Sequence, residues 1–515
     1  MAEIEFPGVF ISETGASVRV IAGVETAFPV FVGHTETAEM DGRPVTLVPT
    51  RIGSLTDYRR IFGGPCKIPF KVQEEIGGAA DFASAGRSYA LIPERKFNLC
   101  DSVRLFYANG GAHCYIVSAG SYADDPAQRA AALQAGLAAV HDLAGPTMLV
   151  IPEATLLDLS DCRALQQAML QQCFDRQDRV AILDVIGTER SFPSADQQAV
   201  NAWLHGCITG FRQGLPAAPD TLKFGAAYAP FLETTVVDSG EFSFDNFDSA
   251  SQPVVTAVLE SQIELRYPAP DPAGESLKAD LRAIWSADPP ARKAFGQKLA
   301  AQLPLLPQIF ATMAARRGTL PPSPAIAAVY TTNDQRFGVW KAPANVALVA
   351  VTGSTLPIND AMLGDLDLPP DGLSVNPIRY FPGRGTLVWG ARTLDGNSSE
   401  ERYVSVRRFL IYIEQSVRAA LAELVFEPNT GPTWLAVTAM VDNFLLGLWR
   451  QGSLVGDRPN TAFWVRCGLN STMTPQDLLD GRLNVEIGLA LVRPAEFVVL
   501  RIGQWLQGGS DRPPP

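Results

Sequence analysis

The chain has 515 residues, of which 47% are hydrophobic and 19% charged, and its formal net charge is −12. That length exceeds one ordinary hydrophobic core, so about two to four domains are expected, and the composition is that of a folded chain. The acidic balance argues against a nucleic-acid backbone as the main partner, because phosphate binding needs clustered positive charge.

Residues 1–22 read as an extended arm. Ile4, Phe6, Val9, Phe10 and Ile11 surround Pro7-Gly8, and Val18, Val20 and Ile21 follow. An end this apolar either docks on its own domain or is donated to another subunit. Glu3 and Glu5 stand where a signal peptide carries positive charge and an apolar run, so no export signal is expected. No apolar run reaches the roughly 18 residues that span a bilayer, and no direct membrane insertion is expected.

Residues 23–351 have a mixed α/β pattern. Ala27–Val32, Tyr115–Val117, Met148–Ile151 and Val180–Val185 read as strands, with helices over Gln128–Asp142 and Cys162–Phe174 between them. Such alternation predicts a partly parallel sheet with covering helices. Within this region, 236–320 change character. They are acidic and Ser-rich at first, then Pro/Ala-rich with helical pieces such as Pro290–Leu303, and read as a surface insertion.

Residues 352–492 read as a C-terminal core. Val406, Phe409, Leu410, Ile413, Val417, Leu421 and Leu424 form the stripe of one core-facing helix, and Trp434, Val437, Val441, Phe444, Leu445 and Leu448 that of a second. Leu483, Val485, Ile487, Leu489 and Leu491 then alternate with Arg482, Asn484 and Glu486, the pattern of a half-buried strand. Residues 493–515 are a second arm. Its strand runs from Phe497 to Ile502, and its Pro-rich tail reads as frayed. The fold class is therefore α+β, in the sense of a mixed α/β multidomain chain.

The polar residues do not assemble a catalytic site. His34, His113, His141 and His205 are the only histidines, and none lies at a metal-binding spacing from another ligand. His113 adjoins Cys114, but neighbours on a strand point to opposite faces. The run Asp365–Gly372 fails as a calcium loop because Pro369 and Pro370 occupy ligand positions. The glycines of Gly383–Thr386 lack the spacing and lysine of a phosphate cradle and read as a tight turn. Seven scattered cysteines, at 66, 100, 114, 162, 173, 207 and 467, predict reduced thiols and assembly in a cytoplasm. No enzyme, metal or cofactor is expected.

Several long stretches carry a resemblance. They are NPIRYFPGRGTLVWGARTLD (Asn376–Asp395), YVSVRRFLIYIEQSV (Tyr403–Val417), VFEPNTGPTWLAV (Val425–Val437) and GRLNVEIGLALVRPAEFVVLRI (Gly481–Ile502). FPGVFISE (Phe6–Glu13), GVETAFPVFVG (Gly23–Gly33) and VYTTNDQRFGVWKAPAN (Val329–Asn345) add to them. In these stretches the chain resembles the contractile tail sheath family of phage tails and related injection machines.

The resemblance implies a structural subunit that polymerises as stacked hexameric rings around an inner tube, between a baseplate and a terminal cap, and contracts without hydrolysing a nucleotide. It implies a C-terminal sheath domain and an outer domain bearing the insertion. It also implies that both arms are donated to neighbouring copies, Ile4, Phe6, Val9, Phe10 and Ile11 from one end and Phe497, Val498, Val499, Leu500 and Ile502 from the other. Leu483, Val485, Ile487, Leu489 and Leu491 would form the receiving strand. Arg407, Arg408 and Arg418 fall on the polar side of the first C-terminal helix, and Arg450 ends the second. They read either as a solvated face with a helix C-terminal charge or as a contact with an acidic inner tube. A minor sheath paralogue next to the baseplate, a soluble binding module and an α/β enzyme are the alternatives.

Overall fold

The structure, a computed structural model, describes residues 20–75, 80–94, 97–190, 196–216 and 218–496. Both arm strands, Ile4–Glu13 and Phe497–Ile502, lie outside the described residues.

A nine-stranded sheet dominates the molecule. Its order is Val346–Ala347, Gly385–Val388, Val375–Phe381, Gly225–Ala229, Val180–Asp184, Met148–Val150, Pro29–Thr35, Cys114–Ser121 and Thr50–Ile52. The six strands from Val375–Phe381 to Cys114–Ser121 run parallel, and the outermost strands at each side pair antiparallel. The sequences explain this. PVFVGHT, VAILD and GAAYA are buried at every position, as strands covered on both faces must be. The covering helices include Arg129–Ala139 and Leu159–Arg176, close to their expected positions. Gly383 and Gly385 adopt φ values of 75° and 81° in the turn between the last two long strands, a backbone that residues with a Cβ rarely take.

The sheet takes in residues on both sides of position 352. Strands Val375–Phe381 and Gly385–Val388 belong to it, so the C-terminal core proper begins with the helix Val404–Ala422.

A second core is helical. Gln252–Arg266, Pro272–Ala283, Pro289–Gln302 and Leu305–Arg317 pack Leu259, Ile263, Leu281, Leu299, Leu306 and Met313 together. This core is shared with Phe70, Val72, Tyr89 and Leu91 from the three-stranded sheet Phe70–Glu74, Arg87–Pro93 and Phe82–Ser84. The 236–320 segment thus does not build its core alone. A stretch more than 140 positions upstream supplies one wall, which local periodicity could not reveal.

The third core joins Val404–Ala422 and Gly431–Arg450 with the antiparallel pair Phe463–Cys467 and Val485–Leu489. Phe409, Ile413 and Val417 face this core, while Val404 and Ile411 of the same helix face the large sheet. One helix therefore has two buried faces.

Candidate functional site: seats for the chain ends

In parallel sheets, ligands bind where the strand order reverses, outside the strand C-termini. Here that point lies beside Pro29–Thr35, which pairs with Cys114–Ser121 on one side and Met148–Val150 on the other. Side chains of the protein itself fill the place. The buried Glu153 carboxylate accepts from His34 Nδ1 at 2.7 Å and from the backbone N–H groups of His34, Asn98 and Leu99 at 3.0–3.3 Å. Phe97 packs against His34 and Tyr122, with the Arg129 guanidinium over its ring.

The other histidines pair singly with carboxylates, His113 with Glu25, His141 with Asp142 and His205 with Asp365. Among the described residues, no three His, Cys, Asp or Glu side chains are grouped to hold a metal ion. All seven cysteines are free thiols, and burial pushes those of Cys100, Cys114 and Cys162 up to about 12.

The arginines expected on a polar helix face occupy different places. Arg407 and Arg408 are each only 4% exposed. Arg407 bonds Glu401 at 3.2 Å and Glu414 at 3.0 Å and lies 4.8 Å above the Phe224 ring. Arg408 grips Asp334 of the Ser323–Phe337 helix at 2.6 and 3.1 Å and stacks 4.5 Å from Tyr330. Every residue from Val404 to Phe409 is buried, because the helix is enclosed on its sheet side as well as its core side. Neither arginine lies on a solvated helix face, since both side chains are buried against carboxylates of their own chain. Arg418 and Arg450 are exposed.

Arg408 also opens a seat for the incoming N-terminal segment. It donates to the Thr26 carbonyl at 2.8 Å. Tyr412 closes over Gly23, where an added Cβ would stand 2.1 Å from the phenol oxygen, and Ser416 Oγ accepts from the Val24 N–H at 3.1 Å. Positions 408, 412 and 416 are four apart and so form one stripe along the helix. Ile21 is buried in the third core. The chain therefore arrives from residue 20 already fixed to the Val404–Ala422 helix. Sequence reading missed this seat, because local spacing does not show which distant helix Gly23 approaches.

The expected receiving strand forms over Val485–Leu489, with Leu483 half-buried before it and Leu491 bridged to Leu454 after it. It pairs with Phe463–Cys467 in the register Phe463↔Leu489, Val465↔Ile487 and Cys467↔Val485. Val465, Ile487, Leu489 and Leu491 pack toward Val441 and Leu445. On the opposite face, half-exposed Trp464 lies across Gly488, where an added Cβ would come within 2.1 Å of the indole nitrogen. Among the described residues this sheet has two strands, so each strand has an unpaired outer edge.

A family model described as the phage tail sheath C-terminal domain matches residues 397–504, which span both helices and this strand pair. Across nearly its whole length the chain also matches the sheath complex of the extracellular contractile injection system PVC in its contracted state. The two are 25% identical over 98% of this chain and 99% of that one, with a TM-score of 0.57. The C-terminal part of the chain thus matches the tail sheath family, and the chain as a whole is similar to a contractile sheath subunit. The sheath subunit has the same fold as a chain of the contracted anti-feeding prophage (AFP) baseplate, 24% identical with a TM-score of 0.61 over 98% and 99% of the two chains. It also shares the fold of the contracted AFP helical sheath, 24% identical with a TM-score of 0.57 over 98% and 100%. No curated protein sequence matches it. The sheath subunit is a structural protein, and its Val485–Leu489 strand lies inside the matched domain.

Proposed function

We propose that this sheath subunit assembles as stacked hexameric rings around an inner tube and contracts to drive that tube through a target envelope. The observation that carries the reading is the two-strand sheet of the C-terminal core, with open edges on a rigid base. Main-chain pairing at such an edge keeps subunits linked while whole domains rotate. Ile4–Glu13 and Phe497–Ile502, which lie outside the described residues, are the segments offered to neighbouring copies in this reading. Burying four or five apolar side chains from each is worth about 1.5–3 kcal/mol per side chain before ordering costs. A head-to-tail joint that does not close on itself builds a helical tube.

In this reading the partners are other copies of the chain, an inner tube, a baseplate and a terminal cap. Assembly takes place in the bacterial cytoplasm, and the finished particle acts outside it. In this reading the 236–320 segment lies on the outer surface, and of the four arginines singled out, the exposed Arg418 and Arg450 meet the tube. Full-length protein should form polymers by negative-stain electron microscopy. Chains lacking residues 1–15, or ending at Glu496, should stay folded and form no long sheaths. Normal tubes from either truncation would overturn the strand exchange.

A further inference from the structure

The base of the C-terminal segment carries a contact that neither the fold nor the strand pairing explains. Among the described residues, the chain beyond Leu491 makes no backbone pairing as far as Glu496, the last of them. The Glu496 carboxylate is held by Arg392, whose Nε donates at 3.0 Å to one oxygen while a second guanidinium nitrogen bonds the other. Tyr403 Oη donates to the same carboxylate at 3.1 Å. Such a fork-on-fork pair is strong and directional.

The receiving side is built in advance. Arg392 is almost fully buried, and the Asn376 side chain pins its backbone, accepting from its N–H at 2.6 Å and donating to its carbonyl at 2.8 Å. Arg392 and Tyr403 face each other across an isolated antiparallel bridge, flanked by bonds from Thr393 N–H to Arg402 O and from Val404 N–H to Ala391 O. Arg392 Nη1 donates to the Gly396 carbonyl at 3.3 Å. Asp367 lies 3.7 Å from the guanidinium with one buried oxygen unpartnered, so a second acid already stands beside the cation. These groups belong to the sheet body and the start of the Val404–Ala422 helix, whereas Glu496 follows the Val485–Leu489 strand of the third core.

We propose that Arg392 and Tyr403 form a preorganised carboxylate receptor whose ligand is Glu496, and that this clamp fixes the point from which the C-terminal segment leaves its own subunit. Residue 496 stays on its own subunit. Tyr403 caps the N-terminus of the helix whose Arg408, Tyr412 and Ser416 hold the base of the N-terminal segment, so the two holds adjoin along one helix. The clamp rests on the strand-exchange reading for its purpose but not for its existence.

The test uses full-length chain diluted until light scattering shows single subunits. Chymotrypsin must pull several residues around Phe497 into its cleft, so the clamp slows that cut. Rates are measured by mass spectrometry and divided by those of free peptides carrying the same 490–504 sequence. Glu496→Gln should raise the normalised rate about tenfold, as loss of a charge-assisted partner implies. Tyr403→Phe should raise it less, and neither variant should speed cuts elsewhere. If Glu496→Gln fails to fold, Tyr403→Phe alone decides. Normalised rates equal to those of the parent chain overturn the clamp. Assembly by a chain ending at Glu496 would instead overturn strand exchange and leave the clamp standing.

Discussion

Arg317 grips Asp101 through two N–H···O bonds of 2.8 Å, tying the last turn of the Leu305–Arg317 helix to the first turn of Leu99–Ala108. Glu241 completes the network, 3.2 Å from Arg317 and 2.7 Å from Arg104. Burial disfavours the charge on Arg317, but the bonds and charges of Asp101 and Glu241 outweigh it and raise its pKa. This is the charged joint between the sheet body and the helical body.

Breaking that joint on one side leaves a buried charge without its partner. Asp101→Asn should therefore lower stability by about 3–5 kcal/mol in urea denaturation, whereas replacing Asp101 and Arg317 together by Leu and Met should cost clearly less. Equal losses for the single and double changes would show that packing, not charge pairing, holds the joint.

Excising residues 237–318 alone should give insoluble protein. The cut would expose Phe70, Val72, Tyr89 and Leu91, which now line the shared core. Soluble yield checks this, and excision that also removes the sheet of residues 66–94 should recover more of it.

Gly23→Ala should destabilise the subunit by about 1–3 kcal/mol, since the new methyl meets Tyr412 with no free space. Tyr412→Phe in the same chain should restore part of the loss, because the nearest remaining atom, Cζ, stands at 2.9 Å. Thermal melts of the three variants provide the comparison.

Asp184 sets a pH dependence. Burial pushes its carboxyl up to about 7, against the bonds it accepts from Ser323 N–H and Oγ at 2.8 and 2.5 Å. A folded value above the ordinary carboxylate value near 3.8 means that the folded state binds the proton more tightly. The stability it contributes is complete below pH ~4 and is lost as pH rises through ~7. Asp184→Asn, which stays neutral, should flatten that part of the stability profile and gain on the order of 2–4 kcal/mol at pH 8. An unchanged slope between pH 4 and 8 would rule this out.

Strand and helix identity was written in the chain, because periodicity and turn chemistry are local. The run Val180–Asp184 is apolar at four of its five positions and became a central parallel strand, and the alternation around Val485–Leu489 became a half-buried one. The stripe from Phe409 to Val417 likewise found its core. The same stripe misled about Arg407 and Arg408. A helix pattern assigns one buried face, and nothing in it tells that the sheet and the Ser323–Phe337 helix close over the other.

Which distant segments meet was decided only by the tertiary structure. Arg392 and Glu496 are 104 positions apart, Arg408 and Thr26 are 382 apart, and the wall of the helical core comes from the strands around Phe70 and Leu91. Local spacing carries no information about such pairs. They are selected when the whole chain collapses, since a buried charge is tolerated only where the fold delivers its counterpart.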